Sequence, residues 1–129
     1  MEKRKIFVID DQEDIREVLA MRLHSAGYDV DTAGNGLEAL EKIRASRPDL
    51  VVADVQMPEM DGFTMLKEIR RLCREEASGG HIPIIMMSGN KKGPDIKALF
   101  EMEGIVEYLE KPVDGKKLLT TIQAVLGKP

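Results

Sequence analysis

Cysteine occurs once, at Cys73. No disulfide can therefore close within the chain, a usage that fits a reducing compartment. Long apolar runs are missing as well: none approaches the roughly 18–20 residues that span a bilayer. The opening residues MEKRKIFVIDD carry charge and only a short apolar stretch, IFVI, too brief for a secretory signal. Neither His24 nor His81 has Cys or His neighbours at metal-ligating spacing, which removes a thiolate–imidazole centre. An excess of positive charge is also lacking. With 19 basic and 23 acidic residues the net charge is −4, so neither nucleic acid nor an anionic membrane is expected as the main partner. Internal repeats, low-complexity tracts and Pro/Ser-rich linkers are absent. The default location is the cytoplasm. The 129 residues suffice for one domain with a proper core but not for two ordinary ones, so a single domain over residues 1–129 is expected.

What the sequence does contain is alternation. Apolar runs occupy 6–9, 50–53 and 82–87, with weaker ones at 28–33 and 105–109. Segments with helical spacing lie between them. Their stripes are Ile15, Val18, Leu19, Leu23 and Ala26, then Leu37, Leu40 and Ile43, then Leu66, Ile69 and Cys73. Ile96, Leu99 and Phe100 form a fourth stripe, and Leu118, Ile122 and Val125 a fifth. Gly27 and Pro48 punctuate the ends of the first two helices, and Asp61 and Asp114 read as N-caps. Five such β-α units predict an α/β fold, a parallel sheet with helices on both faces. The continuous runs 6–9 and 50–53 suit central strands. The run at 28–33 ends in Thr32, Ala33 and Gly34, without charge, and suits an edge.

In open α/β sheets, ligands gather at the carboxyl ends of the strands. Asp10 and Asp11 follow the first run, Asp54 the third, Ser88 the fourth, and Lys111 and Pro112 the fifth. A charge at the tip of a buried strand is unfavourable without a partner or a task, and Asp54 in LVVADVQMPEMDG is such a charge. Three close carboxylates either take up a proton or are neutralised by a cation. A hard divalent ion with oxygen ligands is the natural resolution, and Mg²⁺ suits a site with few carboxylates. Mg²⁺, an ammonium and a hydroxyl around one carboxylate fit the charge on a transferring phosphoryl group. Asp54 is then a candidate nucleophile, by way of an aspartyl phosphate.

The segments IDD (9–11), DVQMPEMDG (54–62), SG (88–89) and EYLEKP (107–112), in this order, resemble the signature of response-regulator receiver domains of two-component signalling. The class is typified by the chemotaxis response regulator, and the resemblance runs from Lys5 to about Leu126. It implies a flavodoxin-like, doubly wound five-stranded parallel sheet of order 2-1-3-4-5 with five helices. It also implies a phosphorylation-activated switch. Asp54 would accept a phosphoryl group from a histidine kinase or histidine phosphotransfer protein in a Mg²⁺-dependent reaction, with Mn²⁺ able to substitute. Asp11 would bind the ion directly and Asp10 chiefly through water, with Asp54 and the backbone carbonyl of Gln56 as further ligands. Lys111 would pair with Asp54 and then with a phosphoryl oxygen, and the Ser88 hydroxyl would move to the phosphoryl group. Tyr108 matches the switch aromatic that turns inward in response. The altered surface of the fourth helix, fifth strand and fifth helix would recruit an output protein or output domain. Such a chain promotes only its own phosphorylation and dephosphorylation and is not an enzyme with a separate substrate. The Lys111–Pro112 bond is expected to be cis. Two features depart from the family pattern: Ile105 stands where a small residue is usual after Gly104, and the loop GNKKGPD after Ser88 is longer than the common form. The last helix also lacks the charge pattern of family members that dimerise through this face.

Each residue alone has a plainer reading. An acid is usually a cap or a solvated loop charge, a serine a turn residue, a lysine a surface charge, and a strand tyrosine merely packed. Met57, Met60, Met65, Met86, Met87 and Met102 read mainly as gap-fillers. Convergence on one site reverses the plain reading for the acids, Ser88 and Lys111. A flavin-binding module of the same fold would need a Ser/Thr/Gly-rich phosphate loop where this chain has DDQED. An aspartate-nucleophile phosphatase would need a D-x-D motif on the first strand, where these acids are adjacent. The alternative that stands is a degenerate receiver, a phosphorylation-independent protein-binding module. Mg²⁺-dependent beryllofluoride binding separates the two.

Overall fold

The computed structural model describes residues 3–54, 62–75, 82–89 and 105–127. Strands β1 (Lys5–Ile9), β2 (Asp29–Ala33), β3 (Leu50–Asp54), β4 (Ile84–Ser88) and β5 (Ile105–Glu110) form one parallel sheet of order β2-β1-β3-β4-β5. The flavodoxin-like order implied by the resemblance is thus present, with β1 and β3 inside and β2 at an edge. Helices α1 (Glu13–Ser25), α2 (Gly36–Ala45), α3 (Gly62–Glu75) and a C-terminal helix (Gly115–Leu126) cover the sheet. The expected helix around residues 96–100 lies outside the described residues, as do Asp61, Gln56, Met57, Met60, Met102 and most of the loop after Ser88. None of the described helices is long and apolar enough to cross a membrane.

The inner strands read as unbroken apolar runs because both of their faces are covered. Successive side chains point to opposite faces, which divides the core in two. Phe7, Ile9, Val51, Ala53, Ile84 and Met86 pack under α2 and α3. Ile6, Val8, Leu50, Val52, Ile85 and Met87 pack under α1 and the C-terminal helix. Edge strand β2 carries Asp29 and Asp31, charges that discourage pairing with a further strand.

Two of the expected stripes need correction. Val18 is 63% exposed and Leu37 58% exposed. The buried line of α1 runs through Leu19 and Leu23, with Ile15 and Ala26 against it. That of α2 runs through Gly36, Ala39, Leu40 and Ile43. Each correction has one cause: a single step of about 100° around a helix separates Val18 from Leu19 and Leu37 from Gly36, which turns those side chains off the narrow face that meets the sheet. Val125, at 37% exposed, sits at the margin of its stripe.

Local signals account for the turns. Asn35 caps α2 by accepting from the Glu38 amide at 2.8 Å, and Glu38 reaches back to accept from the Gly34 amide at 3.2 Å. Asp114 caps the C-terminal helix through the Lys116 amide. Gly27 ends α1 with φ of 105°, in the left-handed region that favours glycine.

Candidate functional site

Parallel register sets the strand ends level. Ile9 pairs with Ala33 and with Ala53, Asp54 with Met87, and Ser88 with Glu110. The polar residues that end or follow these strands therefore meet at one rim. Carboxylate oxygens of Asp10, Asp11 and Asp54 all lie within 4.8 Å of one another. Asp10 is fully buried, Asp54 nearly so, and Asp11 is exposed. Lys111 reaches in from the turn after β5. Its Nζ donates to Asp54 Oδ2 at 2.9 Å and lies 2.8 Å from Asp10 Oδ2. The Lys111 amide donates to the Ser88 carbonyl at 3.0 Å, which ties the turn to the end of β4. The Lys111–Pro112 peptide is cis, as expected.

Burial on its own would lower the pKa of the Lys111 ammonium. The side-chain contacts with Asp10 and Asp54, and then their charges, outweigh it and hold the pKa above the ordinary lysine value. The ammonium thus stays charged and shared between two buried carboxylates. Three carboxylates against one ammonium leave two uncompensated negative charges in the cluster. An all-oxygen donor set with that excess fits a hard divalent cation.

The two outer acids are held differently. Asp10 Oδ1 accepts from the Gln12 amide at 2.9 Å, and the Asp10 amide donates to the Ala33 carbonyl at 3.1 Å. The Asp10 carbonyl accepts from Arg16 Nη1 at 2.8 Å. Asp11 makes no hydrogen bond or ion pair among the described residues. Ser88 is buried at the tip of β4, one residue beyond the partner of Asp54. Tyr108 packs against the core layer that α2 and α3 cover, and its hydroxyl is out of solvent with no hydrogen-bond partner among the described residues. Gln56 lies outside those residues.

The structure therefore brings Asp10, Asp11, Asp54 and Lys111 together, with Ser88 on the adjacent strand end. Arg16 is a charged neighbour of the site, among the described residues, that sequence reasoning passed over. Its signal was weak, a cation on α1 six residues after Asp10, and only the tertiary fold shows that its head turns back to the strand end.

Comparison with known proteins agrees with this geometry. The family model described as the response regulator receiver domain matches residues 6–123. The protein named "Probable transcriptional regulator ycf27" from Porphyridium aerugineum is 38% identical over 128 residues, 99% of this chain and 50% of that protein. The transcriptional regulatory protein CpxR homolog of Haemophilus influenzae is 37% identical over 125 residues, 96% of this chain and 51% of its own length. The chain thus spans about half the length of the curated relatives it matches. Among solved structures, the Vibrio cholerae chemotaxis protein CheY4 superposes with a TM-score of 0.85 at 34% identity, covering 97% of this chain and all of that one.

Proposed function

The chain belongs to the response regulator receiver family, and from that premise we propose that Asp54 accepts a phosphoryl group from a phosphohistidine on a kinase or phosphotransfer protein. The observation that carries this reading is the buried Asp54 carboxylate, ringed by Asp10 and Asp11 and held by Lys111 Nζ at 2.9 Å. In the transfer, an Asp54 oxygen attacks phosphorus, the P–N bond to the donor imidazole breaks, and an acyl phosphate forms. The imidazole leaves with the bonding electron pair and takes up a proton from solvent. Lys111 exchanges a carboxylate oxygen for a phosphoryl oxygen with little movement. Asp11, exposed and without other partners among the described residues, would hold the cation directly and Asp10 chiefly through water, with Asp54 and the Gln56 carbonyl as further oxygen ligands. The chemistry a bound Mg²⁺ supplies there is neutralisation of phosphoryl oxygens; Mn²⁺ has the same ligand preference. On this reading the chain turns over no separate substrate.

The switch passes through Ser88 and Tyr108. A phosphoryl group adds negative charge and acceptor oxygens, which favour a shift of the Ser88 hydroxyl towards Asp54. The Tyr108 ring already lies packed inward, with a buried hydroxyl lacking a partner among the described residues. Apolar burial favours this rotamer and the unpaired hydroxyl disfavours it, so a small bias is enough to redistribute the ring. A coupling of about 1–3 kcal/mol changes partner affinity usefully. The face formed by β5 and the C-terminal helix, with the segment before β5, then reports the phosphorylation state. Relatives named as transcriptional regulators make transcription a candidate output, through an attached or separate partner. The cytoplasm is the expected location.

The reading is tested with acetyl phosphate or a histidine kinase. Wild type should acquire an acid-labile, hydroxylamine-sensitive acyl phosphate and bind beryllofluoride only when Mg²⁺ is present, and Asp54→Asn should do neither. Failure of wild type to bind beryllofluoride would move the chain to the degenerate-receiver reading.

A further inference from the structure

Three of the four polar anchors on Asp10 are the Gln12 amide, the Ala33 carbonyl and Lys111. The fourth is Arg16, whose Nη1 donates to the Asp10 carbonyl at 2.8 Å. That carbonyl belongs to the peptide unit joining Asp10 to Asp11. Asp11 itself has no side-chain partner among the described residues to aim it. The direction of its carboxylate is therefore set by its own backbone, and the Asp10–Asp11 peptide is gripped by the arginine.

A second observation concerns the same guanidinium nitrogen. A methyl group built at Gly34 would lie 3.1 Å from Arg16 Nη1 and 3.7 Å from its Cζ. Glu38 Oε2, which accepts from the Gly34 amide at 3.2 Å, would be 3.8 Å away. The loop between β2 and α2 thus forms a wall that holds the arginine head against the strand end. The Arg16 charge also helps to keep the Glu38 carboxyl below the usual range, after the Gly34 hydrogen bond and the Lys42 contact. Gly34 does not have a left-handed φ, so a side chain there is opposed by the arginine rather than by backbone strain.

We propose that Arg16 is a positioning residue for the cation site: it pins the Asp10–Asp11 peptide and so aims the Asp11 carboxylate, and Gly34 has no side chain because the arginine head needs the space. The inference rests on the reading of Asp10 and Asp11 as cation ligands. Groups that orient ligands from the outer layer of a metal site typically contribute 10–100-fold in affinity. Arg16 holds a main-chain carbonyl rather than a ligand atom, so the lower end, about tenfold, is expected.

The test is a Mg²⁺ titration of the isotopically labelled chain, followed by amide shifts, on wild type, Arg16→Ala, Arg16→Lys, Gly34→Ala and the Arg16→Ala/Gly34→Ala double variant. Arg16→Ala should raise the Mg²⁺ Kd about tenfold, and Arg16→Lys, which keeps one donor, should recover part of the loss. Even in EDTA the Asp11 amide and Asp10 carbonyl carbon should shift in Arg16→Ala, because the hydrogen bond is lost without any metal. Gly34→Ala should weaken Mg²⁺ binding in the wild-type background and add nothing once Arg16 is absent. Thermal unfolding identifies any variant that fails to fold. If wild type binds Mg²⁺ and Arg16→Ala binds it within twofold, the positioning role is overturned while the cation site stands. Equal effects of Gly34→Ala in both backgrounds would overturn the link between the glycine and the arginine. Wild type that does not bind Mg²⁺ would remove the premise itself.

Discussion

Replacing Lys111 with methionine, close in length but uncharged, isolates the electrostatics of the site. The wild-type lysine side chain is only 15% exposed, and its ammonium touches two carboxylates that are almost wholly buried. Without it, Asp10 and Asp54 face each other with oxygens no more than 4.8 Å apart. At an effective dielectric of about 20, two unit charges at that distance repel by about 3 kcal/mol, and each also loses its attraction to the lysine. Breaking a buried pair by removing one partner typically costs about 3–5 kcal/mol. Protonation sets a ceiling, because the variant can escape by neutralising one acid. For an aspartate with an ordinary pKa of about 3.9, that escape costs about 4 kcal/mol at pH 7 and about 1.5 kcal/mol at pH 5. Lys111→Met should therefore lose about 3–4 kcal/mol at pH 7 and roughly 1.5 kcal/mol at pH 5. The assay is urea unfolding in EDTA at both pH values, with comparable m-values required for the comparison. Millimolar Mg²⁺ should recover part of the loss at pH 7, since a cation that binds only the folded site stabilises it by mass action. A loss below about 1 kcal/mol at pH 7, or an equal loss at both pH values, would refute the picture of a lysine holding two ionised buried acids together.

Several other measurements bear on the same site. In metal-free wild type, the raised Lys111 pKa makes its contribution to stability fully present below the ordinary lysine value of 10.5 and lost as pH rises through the folded value. Alkaline unfolding curves of wild type should show that limb, and those of Lys111→Met should lack it. Asp11→Asn should stabilise the metal-free fold while weakening Mg²⁺ binding, because Asp11 adds repulsion and has no partner to lose among the described residues; a drop in metal-free melting temperature would contradict this. Asp10→Asn is the poorer probe, since it also removes the 2.8 Å contact with Lys111. Ser88→Ala should still be phosphorylated on Asp54 but show a weaker chemical-shift response around Tyr108; an undiminished response would exclude the relay through Ser88. Asn35→Ala should cost about 1 kcal/mol through the lost cap of α2, and unfolding indistinguishable from wild type would show that the cap is replaceable.

Much of the architecture was legible in the chain because buried parallel strands leave a strong trace. The runs at 6–9 and 50–53 are apolar without alternation, and they occupy two of the three positions paired on both edges, the third being β4, whose run at 82–87 is equally apolar. The site acids were legible for a related reason. A charge placed directly after such a run has to be at the strand end, and parallel strands put all their carboxyl ends on one side. Helix faces were read less well. A stripe three or four residues apart identifies a helix, yet one step of rotation decides whether Val18 or Leu37 points at the sheet or at water, and that rotation is set by what the helix packs against.

The aim of Tyr108 shows the division most clearly. Simple alternation from Ile105 would place Glu107 and Leu109 on its face and Tyr108 on the other. In the sheet, Ile84 pairs with Ile105 but Ile85 pairs with Glu107, so Val106 is an extra residue at an irregularity between β4 and β5. That one-residue shift puts Ile105 and Tyr108 on the core layer that α2 and α3 cover and Leu109 on the opposite layer. It also shows where the bulky Ile105 goes: into the same core layer as the tyrosine. The sequence by itself determined the class of fold, the order of polar groups along the strand ends and the chemistry those groups share, because each follows from local apolar patterning and the direction of parallel strands. The tertiary structure alone decided which way Tyr108 faces, that one lysine bridges two buried acids, and that Arg16 grips the peptide between Asp10 and Asp11. Each of those depends on register and on contacts between segments far apart in the chain, where no local pattern carries the information.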